Sequence, residues 1–442
     1  MTRSTRIANT PSSSPAGSID GSFGLRTTAP RNPVRITLDG TELVAERGEP
    51  VAAALVAAGK IVLARSPKFH RPRGPACFRG ACDGCLARVD GVPNQMTCLL
   101  PAEDGMTIVS QNRLGPRELD LLRMTDWFFP EGMNHHELFA GVPGVQGVMQ
   151  AFARRVAGLG KMPDAPLAPK AAERRTLDVF VVGAGPAGMA IATRLAERGR
   201  TVEVIDDRAS EGGSILALGA REAGAFEKMR ASFRKAIADG RVRFRAHTLA
   251  AGLYGKDLLV VSTEGAEIAS AGTLVLACGA HDGTLDFENN DLPGIMSARA
   301  AGVLFSHGVF PGRRIVVVVP EGGGPFGASY AAAVGALAKG PAVTLIDGLP
   351  IAARGTSRVK GVIVRTSEGE RELPTDALVI DAPRAPSYEL AAQAGASLLH
   401  EPRGFVVDST PAGVYAIGEV AGTPFDAAAI EEAADRIASS IV

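Results

Sequence analysis

The chain has 442 residues, and Lys+Arg and Asp+Glu both total 47, so its formal charge is zero. That balance excludes a globally basic nucleic-acid coat and an acidic tail protein. Apolar residues at 46% suit several buried cores, roughly one per 100–200 residues, while aromatics at 5% are too few for a base-stacking platform.

No apolar run reaches the ~18 residues of a membrane helix, so neither a membrane span nor a nucleic-acid partner is expected. Residues 1–32 are rich in Ser, Thr and Arg and lack the apolar stretch of a secretory signal. They read as a disordered N-terminus of a cytoplasmic protein, with a transit peptide as the alternative. Residues 34–38 alternate, Asp39-Gly40 makes a hairpin turn, and 41–46 return. Residues 49–59 read as an Ala/Val-rich helix closed by Gly59. A cysteine-rich loop and a strand over 106–110 complete a unit spanning 33–112. Residues 113–175 carry no strand pattern. Stretches 117–124 and 148–158 look helical, and Pro-rich, charged 161–175 reads as a linker. His135 and His136, between those helices, lack a second ligand cluster and read as a turn or an intersubunit contact. From Asp178 onward, strand, glycine turn, helix and strand alternate, as in a parallel α/β sheet.

Four of the five cysteines lie between Cys77 and Cys98. Cys77, Cys82, Cys85 and Cys98 follow the spacing C-x4-C-x2-C-x12-C, whose first three positions match plant-type [2Fe–2S] ligation. Four thiolates can hold two irons, two ligands each. Gly74, Gly80 and Gly84 free backbone N–H groups to face the sulfurs, and Arg71, Arg73 and Arg79 offset a negative site. Zinc is the weaker alternative, because its sites favour paired C-x2-C knuckles. The x12 step is shorter than in plant-type ferredoxins, so a compact variant of that β-grasp is expected.

Residues 177–182 form a buried strand, followed by Gly183-Ala-Gly185-Pro186-Ala187-Gly188, a helix over 189–198 and a strand over 201–205 closed by Asp206. Strand, G-x-G-x-x-G, helix and an acid about 20 residues on are the full context of a dinucleotide fold. The glycines admit the pyrophosphate, and Asp206, with Asp207 and Arg208 beside it, faces the adenosine ribose. Gly213 and Ser214 form a second turn that can pass beside a flavin. Gly279 ends a crossover strand carrying Cys278, which reads as a packing residue, and His281, which reads as a flavin neighbour or a satisfied polar group. Gly418-Glu419 ends a C-terminal strand where flavoproteins carry an acid to the ribityl chain. Glu stands there in place of the usual Asp. Together these favour FAD.

A second strand and glycine turn, Gly322-Gly-Gly324-Pro-Phe-Gly327, open another dinucleotide unit ending in Asp347. Too few residues follow for the helical crossover of a complete nicotinamide domain. NAD binding and a structural remnant are both open here.

Arg71-Pro-Arg-Gly74 with the cysteine loop, Gly-Ala-Gly-Pro-Ala-Gly and Asn290-Asp-Leu-Pro-Gly294 together resemble the alpha-type subunits of heteromeric amine and amino-acid dehydrogenases or oxidases. Sarcosine oxidase alpha and the corresponding chains of opine oxidase and hydrogen cyanide synthase belong to that group. The resemblance covers 33–442 and implies a two-dinucleotide-binding, glutathione-reductase-like α/β flavoprotein fold behind a β-grasp [2Fe–2S] domain. The expected FAD-binding domain spans 176–300 and 375–442, with a shortened NAD-binding-like insert at 301–374. It implies a [2Fe–2S] cluster and FAD, with NAD left open, and an electron-transfer role. The partner it implies is a D-amino-acid-oxidase-like catalytic beta subunit, with room for further small subunits. No catalytic set of this chain's own is evident, and cysteines for a redox disulfide beside the flavin are missing. The competing readings are a self-sufficient NADH-dependent reductase and a scaffold that only holds a nucleotide.

Overall fold

The structure is a computed structural model that describes residues 24–66, 69–111 and 171–441, with isolated positions at 124, 144, 145, 147 and 148. The expectations for 1–23, the helices at 117–124 and 148–158, His135, His136 and the linker over 161–170 fall outside the described residues, apart from those isolated positions.

The first unit pairs β1 (Pro33–Leu38) with β2 (Thr41–Glu46) across the Asp39-Gly40 turn, then sets α1 (Val51–Ala57) against the sheet. β3 (Leu86–Val89), β4 (Val92–Met96) and β5 (Thr107–Val109) complete a five-stranded sheet of order β2-β1-β5-β3-β4. Val34, Ile36 and Leu38 alternate inward, and every residue of α1 is buried. The helix is buried all round because a second body packs on its outer face. Its core is continuous with side chains of the C-terminal half, including Met296 and Ala301.

The dinucleotide unit begins with β6 (Glu173–Val182), α2 (Pro186–Glu197), β7 (Val202–Ile205), α3 (Glu227–Ala238) and β8 (Val242–Arg245). A meander follows: β9 (Thr248–Tyr254), β10 (Asp257–Ser262) and β11 (Gly265–Leu276). The chain then builds β12 (Ile295–Ser297), α4 (Ala298–Ser306), β13 (Arg314–Val319), α5 (Phe326–Gly335) and β14 (Ala342–Asp347). Next come β15 (Leu349–Gly355), β16 (Val359–Thr366), β17 (Gly369–Pro374) and β18 (Ala377–Ile380). It returns through β19 (Val414–Ala416) and α6 (Ala427–Ser440). The parallel core of the first sheet runs β8-β7-β6-β11-β19, and the second sheet runs β12-β18-β13-β14. Val179–Val182 are buried on both faces, as central parallel strands require. Among the described residues no helix is long and apolar enough to cross a membrane.

Two expectations are corrected. Residues 173–175, expected in the linker, are the first turn-free stretch of β6. Their charges concealed a strand: Arg175 reaches Glu203 at 2.7 Å and Glu267 at 3.2 Å, and Arg245 joins Glu203 at 3.1 Å from the neighbouring strand. Residues 24–27 are ordered, against an expected disordered start to residue 32. Leu25 donates to the carbonyl of Ala57 at 2.9 Å, Phe310 donates to Leu25, and Arg26 ion-pairs Glu49 with both side chains buried. In the second unit, the missing crossover helix is replaced by the antiparallel meander β15–β17.

Glu49→Ala would leave the buried Arg26 guanidinium without its partner. Breaking such a pair removes roughly 3–5 kcal/mol, which should appear as a lowered urea midpoint at unchanged slope.

Candidate functional site

The four cysteines form two pairs. Cys77 Sγ donates to Cys82 Sγ at 3.3 Å, and Cys98 does the same toward Cys85. In each pair one sulfur donates and the other accepts, which splits the two acidities. Cys82 is lowered to about 6 by the hydrogen bond from Cys77, and that bond pushes Cys77 up. Cys85 is lowered by Cys98 for the same reason, while Cys98 is raised. The N–H groups of Arg79 and Ala81 face Cys77, that of Gly84 faces Cys82 and that of Gly80 faces Cys98. A Cβ on Gly84 would lie 1.9 Å from the carbonyl oxygen of Gly74, so this turn closes only with glycine. Among the described residues no three His, Cys, Asp or Glu side chains converge as a single-ion site requires. Two separate sulfur pairs under donated N–H groups instead suit a binuclear cluster, with Cys77 and Cys82 on one iron and Cys85 and Cys98 on the other.

The cysteine loop is docked on the dinucleotide unit. Arg73 pairs with Asp291 at 2.8 Å, and Ser297 N donates to Ala76 O at 2.9 Å. Pro293 packs against Gly74. Asn289, in the left-handed region at φ 60°, shapes this turn and donates to Ala353 O at 3.1 Å. The run Asn289–Gly294 is thus the seat of the cysteine loop.

The strand register aligns Val182, Ile205 and Leu276, so Gly183, Asp206 and Gly279 emerge at one carboxyl edge. There a cavity of about 340 Å³ opens, within the range of ligand pockets. Gly183, Gly185, Pro186 and Ala187 line it at the start of α2, whose N-terminus has no side-chain cap. Gly188 lies behind, where a Cβ would sit 1.8 Å from Gly183 O and force strand and helix apart. Asp206, Asp207 and Arg208 line the cavity beside Thr248, Leu249 and Ala250. Asp206 accepts from Ala184 N at 2.7 Å and Arg208 N at 2.9 Å, which aims it at the glycine turn. Gly213, Ser214, Gly279, Gly418 and Glu419 also line it.

The structure adds residues that the motifs did not indicate. Arg79, Gly80 and Ala81 of the cysteine loop form part of the same cavity wall. Arg79 Nη1 donates to Ala280 O, and Arg299 donates to that carbonyl at 2.7 Å and to Ser214 Oγ at 3.0 Å. Arg299 also ion-pairs Asp282. Burial, then the charge of Arg79, lowers Arg299 to about 10, and the same causes lower Arg208. Arg79 and Arg208, whose charges repel on the wall of this glycine-lined cavity, fit an anionic pyrophosphate. Cys278 lines the cavity, and burial pushes its thiol up to about 12, so it stays a neutral packing residue. His281 is tied to Glu389 at 2.8 Å. Glu419 is held by Arg384 at 2.7 Å, so its carboxylate is shared with a cation from the second unit. Gly322, Gly324 and Gly327 are not in this cavity wall.

Fold and site together define an oxidoreductase chain in which a [2Fe–2S] domain is joined to a FAD/NAD-type two-dinucleotide fold. Comparison with known proteins agrees. A family described as "2Fe-2S iron-sulfur cluster binding domain" matches residues 31–113, and one described as "Pyridine nucleotide-disulphide oxidoreductase" matches 177–359. The chain is 28% identical to the sarcosine oxidase alpha subunit of Rhizobium meliloti over 91% of its own length and 45% of that protein's. It is 28% identical to the sarcosine oxidase alpha subunit of a Corynebacterium species, over 84% of its own length and 36% of that protein's. It thus spans less than half of these relatives. Among solved structures, L-proline dehydrogenase from P. horikoshii superposes with TM-score 0.71 at 22% identity, covering 95% of this chain and 75% of that one. The resemblance to alpha-type subunits is upheld.

Burial, then the charge of Asp207, pushes Asp206 up from 3.8 to about 6. Ribose hydroxyls donate more strongly to the ionised form than to the neutral acid, so dinucleotide affinity should fall as pH drops through that value. The expected loss is at most about tenfold near pH 5 relative to neutral pH. Asp206→Asn should bind more weakly and without this pH dependence, as read by fluorescence titration of the apoprotein with FAD.

Proposed function

We propose that this chain is the electron-transfer subunit of a heteromeric FAD-dependent amine or amino-acid dehydrogenase or oxidase. One observation carries the reading: Arg79, Gly80 and Ala81, which lie between two cluster cysteines, are also wall residues of the dinucleotide cavity. Any group bound at the two sites shares that loop. A flavin supplies two-electron chemistry and a [2Fe–2S] cluster one-electron chemistry. Cys77, Cys82, Cys85 and Cys98 would hold the cluster; the Gly183–Gly188 turn, Asp206 and Arg208 would hold FAD. The chain's own residues orient and shield. Arg299 fixes the Ser214 turn to Ala280 O, and Arg79 fixes the cysteine loop to the same atom, which sets the spacing of the two sites. Leu292, Pro293 and Gly294 are buried beneath the cysteine loop, and Arg73 pairs with Asp291 beside them, which holds the loop on the dinucleotide unit.

Similarity to sarcosine oxidase alpha subunits supports an N-substituted amino acid as the electron donor. The name of these relatives as alpha subunits supports a partner subunit, and we infer that it is a catalytic beta subunit resembling D-amino-acid oxidase, where the C–H next to nitrogen would be oxidised. A nucleotide-holding scaffold is the second reading. It is favoured by the pairing of Glu419 with Arg384, which draws the usual ribityl contact away.

The test is photoreduction of the anaerobic holoprotein with absorbance followed at flavin and cluster bands. Cluster bleaching that follows flavin bleaching, and that slows at least tenfold in Arg79→Ala, is expected. Flavin bleaching with an unchanged cluster would rule out electron transfer, and a purified chain without flavin bands would favour the scaffold.

A further inference from the structure

The second glycine turn, Gly322–Gly327, joins β13 to α5 as in a dinucleotide-binding unit. In such a unit the first N–H groups of the helix face the pyrophosphate. Here they face the chain itself. Asp381, directly after β18, is 3% exposed, and its Oδ2 accepts from Gly327 N at 2.7 Å. The N–H of Phe326 faces the same carboxylate. A Cβ on Gly324 would lie 2.8 Å from Asp381 Oδ1 and 2.1 Å from Nη1 of Arg384. Gly323 is equally close, with the Asp381 carbonyl oxygen 2.6 Å from its Cβ position. The space that Gly324 frees is therefore filled by two side chains of this protein, and that at Gly323 by its backbone. Arg384 then stacks 4.9 Å from the Phe326 ring and pairs with Glu419 at 2.7 Å.

We propose that the second dinucleotide turn is closed from within. Asp381 stands in the phosphate position, Arg384 carries the hold across to Glu419, and the chain takes dinucleotide at the first fold only. An incoming pyrophosphate would meet a buried carboxylate of like charge on the N–H groups it needs. The closed turn keeps Arg384 on Glu419 whether or not the first cavity is filled. A unit that has lost its nicotinamide crossover thereby serves to position one acid of the first site. This inference concerns the second turn alone and does not depend on the electron-transfer reading.

Equilibrium dialysis of the FAD-loaded full chain against NAD+ and against NADH tests it. Wild type should show no saturable binding at micromolar concentrations. Asp381→Ala removes the blocking carboxylate. Asp381→Ser removes its charge but leaves a hydroxyl to cap α5, so one variant should keep its fold, checked by circular dichroism. A folded variant should bind about one NAD(H) per chain, at least tenfold tighter than wild type. Saturable NAD(H) binding by FAD-loaded wild type would overturn the proposal. So would a folded variant that still binds none, because Asp381 would then not be what closes the turn.

Discussion

The carbonyl of Ala280 receives two arginines from opposite parts of the chain, Arg79 from the cysteine loop and Arg299 from α4. Both donors carry charge, and Arg299 is also buried, so these are among the stronger hydrogen bonds the molecule makes. The carbonyl lies just after the crossover strand whose end opens the dinucleotide cavity. If it were lost, the cysteine loop would no longer be referenced to that cavity, and the Ser214 turn would lose its tie to the same point. The separation of the two sites is therefore a property of a few fixed atoms, not of a hinge between two domains.

Electrostatics around this point pull against one another. Arg79, Arg208 and Arg299 repel, and Asp206, Asp207 and Asp282 only partly compensate. Asp206 itself is buried beside another acid. Such an arrangement is costly while empty and favourable once a phosphate and ribose hydroxyls arrive, which is the mark of a ligand site built in advance. The second glycine turn shows the opposite state. Its helix end is already satisfied by Asp381, and the nearby cation, Arg384, is already paired.

The sequence made legible what depends on neighbours in the chain. The cysteine spacing, the glycine turn between Val182 and Pro186 and the acid after Ile205 are local geometries with fixed offsets, and the parallel α/β alternation follows from them. What it hid depends on approach across long separations. Arg79 and Ala280 lie 201 positions apart, and no periodicity links them. Residues 173–175 looked like linker because their charges are satisfied only by Glu203 and Glu267 on flanking strands. The glycines Gly322, Gly324 and Gly327 match a dinucleotide motif equally well whether the turn is open or filled. Only Asp381, more than fifty positions onward, decides between the two.

The central claim is that the cluster and the dinucleotide cavity share one wall. The most direct measurement is the cluster's midpoint potential, followed by electron paramagnetic resonance, with the cavity empty and with FAD bound. The account predicts a shift on filling in wild type that is largely lost in Arg79→Ala. A potential that is the same in the empty and filled protein would contradict it.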